Sequence, residues 1–308
     1  LNRLQNQMSI LFSDAVTGKT EEIYTEQNKY FIDQPAYEQI QFIDYERFLF
    51  LSEADGYNHI YMYNTTKKVK QQITTGSFDV TKFIGHDAKN KLIYFQSTEE
   101  GSIYRTVFSI DETGKKKLKR SEKTGTNDAL FSKGFNYYVN YFSSAQVPNY
   151  ITLHDSKDKL VRVLEDNKSL VEKLEGFTIQ KKEFFVIKTT ENVEMNAWMV
   201  KPVNFDESKK YPVVVTQYSG PNSQSVSDRW KIDWEQVLAA EGFVVMCVDG
   251  RGTGGRGEEY RKLTYKELGK YETIDQIEAA KYLQTLPFVN PQKIGIWGWS
   301  YGGFMVLN

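Results

Sequence analysis

Six consecutive residues, Gly298-Trp299-Ser300-Tyr301-Gly302-Gly303, carry the strongest chemical signal in the chain. They match G-x-S-x-G, a pattern in which a serine sits on a sharp turn from strand into helix. At either flanking glycine a side chain would collide with the adjoining strand or helix. The serine is expected in a strained backbone conformation that projects its hydroxyl. Such a hydroxyl attacks a carbonyl only when a base takes its proton. His59, His86 and His154, the three histidines of the chain, all precede Ser300. They fall on or beside strands and turns, and each reads as a surface or packing residue.

Two other segments could serve chemistry. Tyr218, in Gln217-Tyr218-Ser219-Gly220-Pro221, stands where a buried strand ends, the edge at which α/β folds place ligands. Its phenol could donate to a developing oxyanion together with the backbone N–H of Tyr301; a purely structural tyrosine is the alternative. Asp249 to Gly257 contains G-x-G-x-x-G after a strand, which invites a dinucleotide reading. With no regular helix expected directly after those glycines, a shaped loop near an active site fits better. Three scattered histidines and one cysteine make no metal-ligand pattern, and no cofactor is expected. Cys247 lies inside an apolar run and reads as an inert buried thiol.

The elements that must position these residues change character along the chain. Up to about residue 165 the pattern is short strands and polar turns. Phe48–Ser52 with His59–Tyr63 forms a hairpin pattern, followed by Leu92–Ser97 with Ile103-Tyr104, then Tyr137–Ser143 with Asn149–Leu153. The units repeat at about 45 residues, the range of four-stranded propeller blades; a β-sandwich of unrelated hairpins is the alternative. Three blades and part of a fourth are expected. Beyond about Leu170, Phe184–Ile187 and Ala197–Val200 read as antiparallel strands. Tyr211–Val215, Phe243–Val248 and Lys293–Trp297 are apolar runs suited to buried parallel strands. A helix is expected to start at Thr273 as N-cap, with Gln276 completing a capping box, and to carry Ile274, Ile277, Ala280 and Leu283 before Pro287 stops it.

Composition bounds the rest. The 308 residues are 40% hydrophobic and 26% charged with a net charge of −1, an ordinary globular balance that points to no nucleic-acid partner. Blocks such as Lys115-Lys116-Lys117 and Glu99-Glu100 read as solvated loop tips. The apolar runs are far shorter than the ~20 residues of a membrane span.

Four segments, Tyr218 to Gln224, Asp249 to Gly252, Asp275 to Ala280 and Gly298 to Gly303, resemble the dipeptidyl peptidase IV branch of the prolyl oligopeptidase family of serine peptidases, in particular its Bacteroides-type bacterial members. Val163 to Asn167 is similar to the same branch. The resemblance implies an eight-bladed propeller and an α/β-hydrolase domain that together release X-Pro or X-Ala dipeptides from peptide N-termini. The fold expected here is thus the C-terminal blades of an all-β propeller, residues 1–168, followed by an α/β-hydrolase domain truncated after the nucleophile elbow, residues 169–308. Ser300 matches the nucleophile, Tyr218 the oxyanion hydroxyl and Tyr301 the oxyanion N–H; Trp299 matches a packing position. In α/β-hydrolases the acid and histidine of the triad follow the serine, so both are expected beyond Asn308. The glutamates that would hold a substrate's amino group are expected before Leu1. The resemblance also implies peptide substrates with a free N-terminus, a homodimer of the full-length protein and a periplasmic or secreted location at the cell envelope. The 308 residues alone are expected to be inactive. Prolyl endopeptidase, tripeptidyl and acylaminoacyl peptidase activities, and a non-catalytic binding protein, are the competing functions.

Overall fold

The structure, a computed structural model, describes residues 1–33 and 40–308. Its first part is a succession of antiparallel sheets. A two-stranded pair, β1 (Gln7–Ser13) and β2 (Thr20–Gln27), precedes three four-stranded meanders. These are β3 to β6 (Gln41–Phe42, Arg47–Ser52, His59–Asn64, Val69–Gln72), β7 to β10 (Val80–Asp87, Leu92–Ser97, Thr106–Asp111, Lys117–Lys119) and β11 to β14 (Thr126–Phe131, Tyr137–Ser144, Val147–Asp155, Leu160–Glu165). Three blades and a partial one are therefore present, as the repeat predicts.

Strand periodicity builds the cores between these sheets. Successive side chains of a strand point to opposite faces. Phe48 and Phe50 of β4 join Tyr61 and Tyr63 against Ile10, Ile23 and Tyr24 of the first pair. Leu49 and Leu51 of the same strand face the other way and pack with Ile93, Phe95, Phe108 and Ile110 of the next blade. One strand thus feeds two interfaces, which is why β4 reads as an unbroken apolar run although it belongs to an antiparallel sheet.

Two details differ from expectation here. The strand after Leu92–Ser97 starts at Thr106 rather than Ile103, because Gly101, at φ 133°, turns the chain back toward the Tyr104 ring. The Lys and Glu blocks are not simply solvated tips. Lys117 opens β10 and pairs with Glu99, while Lys119 pairs with Glu100 at 2.6 Å.

After helix α1 (Lys168–Leu174) come β15 (Glu183–Lys188) and β16 (Glu194–Val200), then β17 (Tyr211–Thr216), α2 (Glu235–Ala240), β18 (Val244–Asp249), α3 (Gly257–Lys262), α4 (Lys270–Thr285), β19 (Val289–Trp297) and α5 (Tyr301–Leu307). One five-stranded sheet runs β15-β16-β18-β17-β19; the first two pairings are antiparallel and the last two parallel. Val213, Val215, Val244, Met246 and Val248 form its core with Ala279 and Leu283 of α4. Small aliphatic side chains suit strands covered on both faces.

Two helices differ from the sequence expectation. α4 starts at Lys270, with Gly269 at φ 85° as its N-cap and the Glu272 carboxylate accepting the Gly269 N–H at 3.1 Å. Thr273 lies inside the helix, where its hydroxyl donates to the Gly269 carbonyl. Its buried face is largely polar: Glu272, Asp275 and Gln276 point inward with Ala279 and Leu283, whereas Ile277 is exposed. The second is α3, which opens directly at Gly257 of the glycine-rich loop.

Candidate active site

β19 and β17 are neighbours in the parallel part of the sheet, with Thr216 opposite Trp297. Beyond Trp297 the chain reverses within three residues and enters α5. Ser300, the hinge of that reversal, has φ 57° and ψ −118° and is exposed. Non-glycine residues hold such a conformation only where their surroundings enforce it. The enforcing contacts are close. The Gly302 N–H donates to the Trp299 carbonyl at 2.9 Å, and the Phe304 N–H to the Ser300 carbonyl at 3.1 Å. A Cβ on Gly298 would stand 2.3 Å from the Gly302 oxygen, and one on Gly302 would stand 2.6 Å from the Gln217 oxygen.

Tyr218 lies at the same end of the sheet. The Gln217 N–H donates to the Trp297 carbonyl at 3.1 Å, so the residue before Tyr218 is fastened to the strand that feeds the elbow. The Tyr218 and Tyr301 rings are 6.2 Å apart, and Tyr218 is 40% exposed. Beneath the Tyr218 ring passes Gly220, whose added Cβ would come within 2.5 Å of Cε1. Tyr301 is the first residue of α5, where backbone N–H groups lack a partner inside the helix. Its phenol is occupied elsewhere, donating to Glu272 at 2.8 Å; burial and that carboxylate push its pKa well up. The structure therefore groups one exposed hydroxyl, one phenol and one first-turn helix N–H at a single edge. Beside them opens a cleft of about 430 Å³, lined in part by Trp234, Trp297 and Trp299.

The glycine-rich loop braces this edge. Asp249, fully buried at the end of β18, accepts the N–H groups of Ser225 and Val226. Burial outweighs those bonds and pushes its pKa up to about 6. Arg251 grips Asp275 of α4 through Nε at 3.0 Å and Nη2 at 2.6 Å. Gly250 must be small because its Cβ would meet that of Asp275 at 2.7 Å. A phosphate cradle does not describe the loop: the Gly257 N–H at the start of α3 is taken by the blade carboxylate of Asp79 at 2.9 Å.

The histidines lie in the blades. His59 is fully buried and bonds Thr74 and Gly76 through its two ring nitrogens. His86 bonds Glu112 at 2.9 Å, and His154 bonds Thr152 and the Asp158 carbonyl. Cys247 is buried and its thiol is pushed well up, chiefly by desolvation. Among the described residues no cluster of metal-ligating side chains occurs, and no helix is long and apolar enough to cross a membrane. Glu272, Asp275 and Gln276 support the site but were not singled out as site residues in the sequence; their spacing at one, four and five along a turn was the available signal.

Comparison with known proteins follows the same division. Residues 1–149 match the dipeptidyl peptidase IV N-terminal region, and residues 230–308 match the prolyl oligopeptidase family. The crystal structure of Porphyromonas gingivalis dipeptidyl peptidase 4 superposes with a TM-score of 0.96 at 47% identity, over 100% of this chain and 44% of that one. Dipeptidyl peptidase 4 of Arthroderma otae is 35% identical over 268 residues, which are 84% of this chain and 34% of the relative. The chain thus spans about a third of that relative's length. With both of its parts matched in order, a propeller region and the start of a hydrolase domain, the chain belongs to the prolyl oligopeptidase family, on its dipeptidyl peptidase IV branch.

Proposed function

We propose that the full-length protein is a serine exopeptidase that releases X-Pro or X-Ala dipeptides from the free N-termini of peptides. A base takes the Ser300 proton as its oxygen attacks the carbonyl carbon of the second residue; the C–N bond then breaks, the amine leaves with that proton, and water hydrolyses the acyl-enzyme. The Tyr301 N–H and the Tyr218 hydroxyl donate to the oxyanion formed in each half-reaction. His59, His86 and His154 are committed to contacts within the blades, so the base is none of these three. One observation carries the reading: Ser300 is exposed at φ 57° and ψ −118°, on the strand end adjacent to Tyr218.

A fluorophosphonate probe should label the full-length protein at Ser300 and leave Ser300→Ala unlabelled. Hydrolysis of Gly-Pro and Ala-Pro anilides should cease in that variant and should require a free amino group. Equal rates on N-blocked substrates would move the assignment to an endo-acting or acylaminoacyl peptidase. Probe labelling that ignores Ser300→Ala would remove the peptidase reading. The same proposal includes a division of the chain at 168/169, a homodimer and a cell-envelope location, to be tested by limited proteolysis, sedimentation and cell fractionation.

A further inference from the structure

Gln217 sits between the strand that presents Tyr218 and the turn that presents Ser300, and it is only 4% exposed. Its contacts go to both. The backbone N–H is bound to Trp297, and the side-chain Nε2 donates to the Gly302 carbonyl at 2.9 Å. A Cβ on Gly298 would stand 2.7 Å from that Nε2, and one on Gly302 would stand 2.6 Å from the Gln217 carbonyl. Both flanking glycines of the elbow are thus moulded around this one residue.

The other end of the amide secures the far side of Tyr218. Ser219, buried and at φ 60°, donates its hydroxyl to Gln217 Oε1 at 2.9 Å. That hydroxyl in turn accepts from Gln276 Nε2 of α4 at 3.2 Å. The direction of the chain is set at its far end: the Gly302 carbonyl can only accept, so Gln217 turns Nε2 to it and Oε1 to the Ser219 hydroxyl, and Gln276 Oε1 is left buried without a partner. The result is one polar relay, from Gln276 through Ser219 and Gln217 to Gly302, that fastens the residues on either side of Tyr218. The Gln217 amide links the two at once because it carries a donor for the Gly302 carbonyl and an acceptor for the Ser219 hydroxyl on neighbouring atoms.

We infer that Gln217 is a positioning residue for the oxyanion site, its amide fixing the Tyr218 phenol against the backbone that carries the Tyr301 N–H. The inference rests on the peptidase reading given above. An oxyanion donor contributes only if it is held where charge develops, and small misplacements of such groups reduce rates by about 10²-fold.

The test uses the full-length protein and an X-Pro anilide. Gln217→Met keeps the side-chain length but removes both hydrogen bonds. It is expected to lower kcat by roughly 10- to 100-fold, with KM within about threefold. Added to Tyr218→Phe, it should lower kcat by less than about threefold more, because a group acting through the phenol has nothing left to position. Gln217→Glu covers the case in which the methionine variant does not fold. A protonated carboxyl can still donate to Gly302 and accept from Ser219, so activity relative to wild type should fall as pH rises and that proton is lost. A full multiplicative loss with Tyr218→Phe, or a raised KM with unchanged kcat, would overturn the role, as would a pH-independent ratio for Gln217→Glu. If Ser300→Ala stops hydrolysis while Gln217→Met matches wild type, the positioning role alone falls. If Ser300→Ala and wild type behave alike, the peptidase reading falls and takes this role with it.

Discussion

Left-handed backbone occurs in two settings in this protein, and they do different things. In the blades Lys68, Lys91, Phe135 and Asp158, with φ between 53° and 65°, each lie in the turn joining two antiparallel strands. A residue in this conformation at the end of a short hairpin loop is common turn chemistry. Around the sheet edge Ser219 (φ 60°), Asn222 (φ 59°) and Ser300 (φ 57°) lie in no hairpin at all. Ser219 is held by Gln217 and Gln276, Asn222 by the Gly252 carbonyl, and Ser300 by the N–H of Phe304. Positive φ therefore serves chain reversal in one half and presentation of functional groups in the other, and substitutions should separate the two uses.

The largest effect is expected at the elbow glycines. In Gly298→Ala the new methyl would lie 2.3 Å from the Gly302 oxygen, so the turn itself has to shift. On the proposed peptidase reading, hydrolysis by the full-length protein should fall by at least ~10²-fold, since the Ser300 hydroxyl and the Tyr301 N–H move together. Alanine at Gly56, a blade-turn glycine at φ 97° with open space around it, should leave the rate unchanged and cost only about 1 kcal/mol of stability. Rate measurements on both variants, with melting temperatures, make the check.

Ion pairs show the same contrast. Lys119 and Glu100 meet on a half-exposed blade surface, whereas Lys262 is fully buried between Glu53 of the blades and Glu258 of its own helix, at 2.7 and 3.1 Å. Arg261 also binds Glu53. Lys262→Met leaves two buried carboxylates short of a partner and should lower stability by about 3 kcal/mol or more. Lys119→Met should change it by less than about 1 kcal/mol. Denaturant titrations of the two variants would show whether the seam between the halves is held as tightly as its burial implies.

Much of this arrangement was legible in the sequence, and the reason lies in periodicity. Apolar runs such as Phe48–Leu51 and Val244–Val248 announce strands whichever residues they pack on. The elbow was legible because Gly298 and Gly302 are fixed by contacts within a few residues. What escaped detection is held by contacts distant in sequence. Asp79 meets Gly257, and Arg261 meets Glu53, across about two hundred residues. The polar face of α4 was hidden for another reason: Glu272, Asp275 and Gln276 resemble a solvated face until their partners Tyr301, Arg251 and Ser219 are brought inward. Gln217 was passed over in favour of the phenol beside it.

The two halves also bury carboxylates, and one of them should be visible in pH dependence. Asp79 and Asp249 are both raised by burial; Asp79 accepts the N–H of Asn58 and, across the join of the two halves, that of Gly257, and Asp249 accepts those of Ser225 and Val226 within the second half. For Asp249, at about 6 in the folded chain and about 3.9 when unfolded, the folded state binds the proton more tightly. Its contribution is thus most favourable below about pH 4 and is lost as pH rises through about 6, by up to roughly 3 kcal/mol. Asn at this position can keep both N–H bonds, since Asp249 Oδ2 alone receives Ser225 at 2.9 Å and Val226 at 2.7 Å. Between pH 4 and 7 the melting temperature of wild type should therefore fall relative to Asp249→Asn; parallel curves would mean that the carboxyl titrates normally.

The smallest expected effect separates the two kinds of strain most directly. Lys91 is exposed at φ 54°, and its turn is held independently of it: Asp87 accepts the N–H groups of Lys89 and Asn90. Lys91→Gly removes the left-handed penalty but adds freedom to the unfolded chain, two terms of about 1 kcal/mol that nearly cancel. Ser300→Gly makes the same exchange where ψ is −118°, a region that non-glycine residues occupy at a cost of about 1–3 kcal/mol. Stability should therefore rise slightly more at Ser300 than at Lys91, by about 1 kcal/mol, while probe labelling disappears only at Ser300. Should Ser300→Gly instead lower the melting temperature, the elbow would be a relaxed turn, and the contrast between the two settings would lose its physical basis.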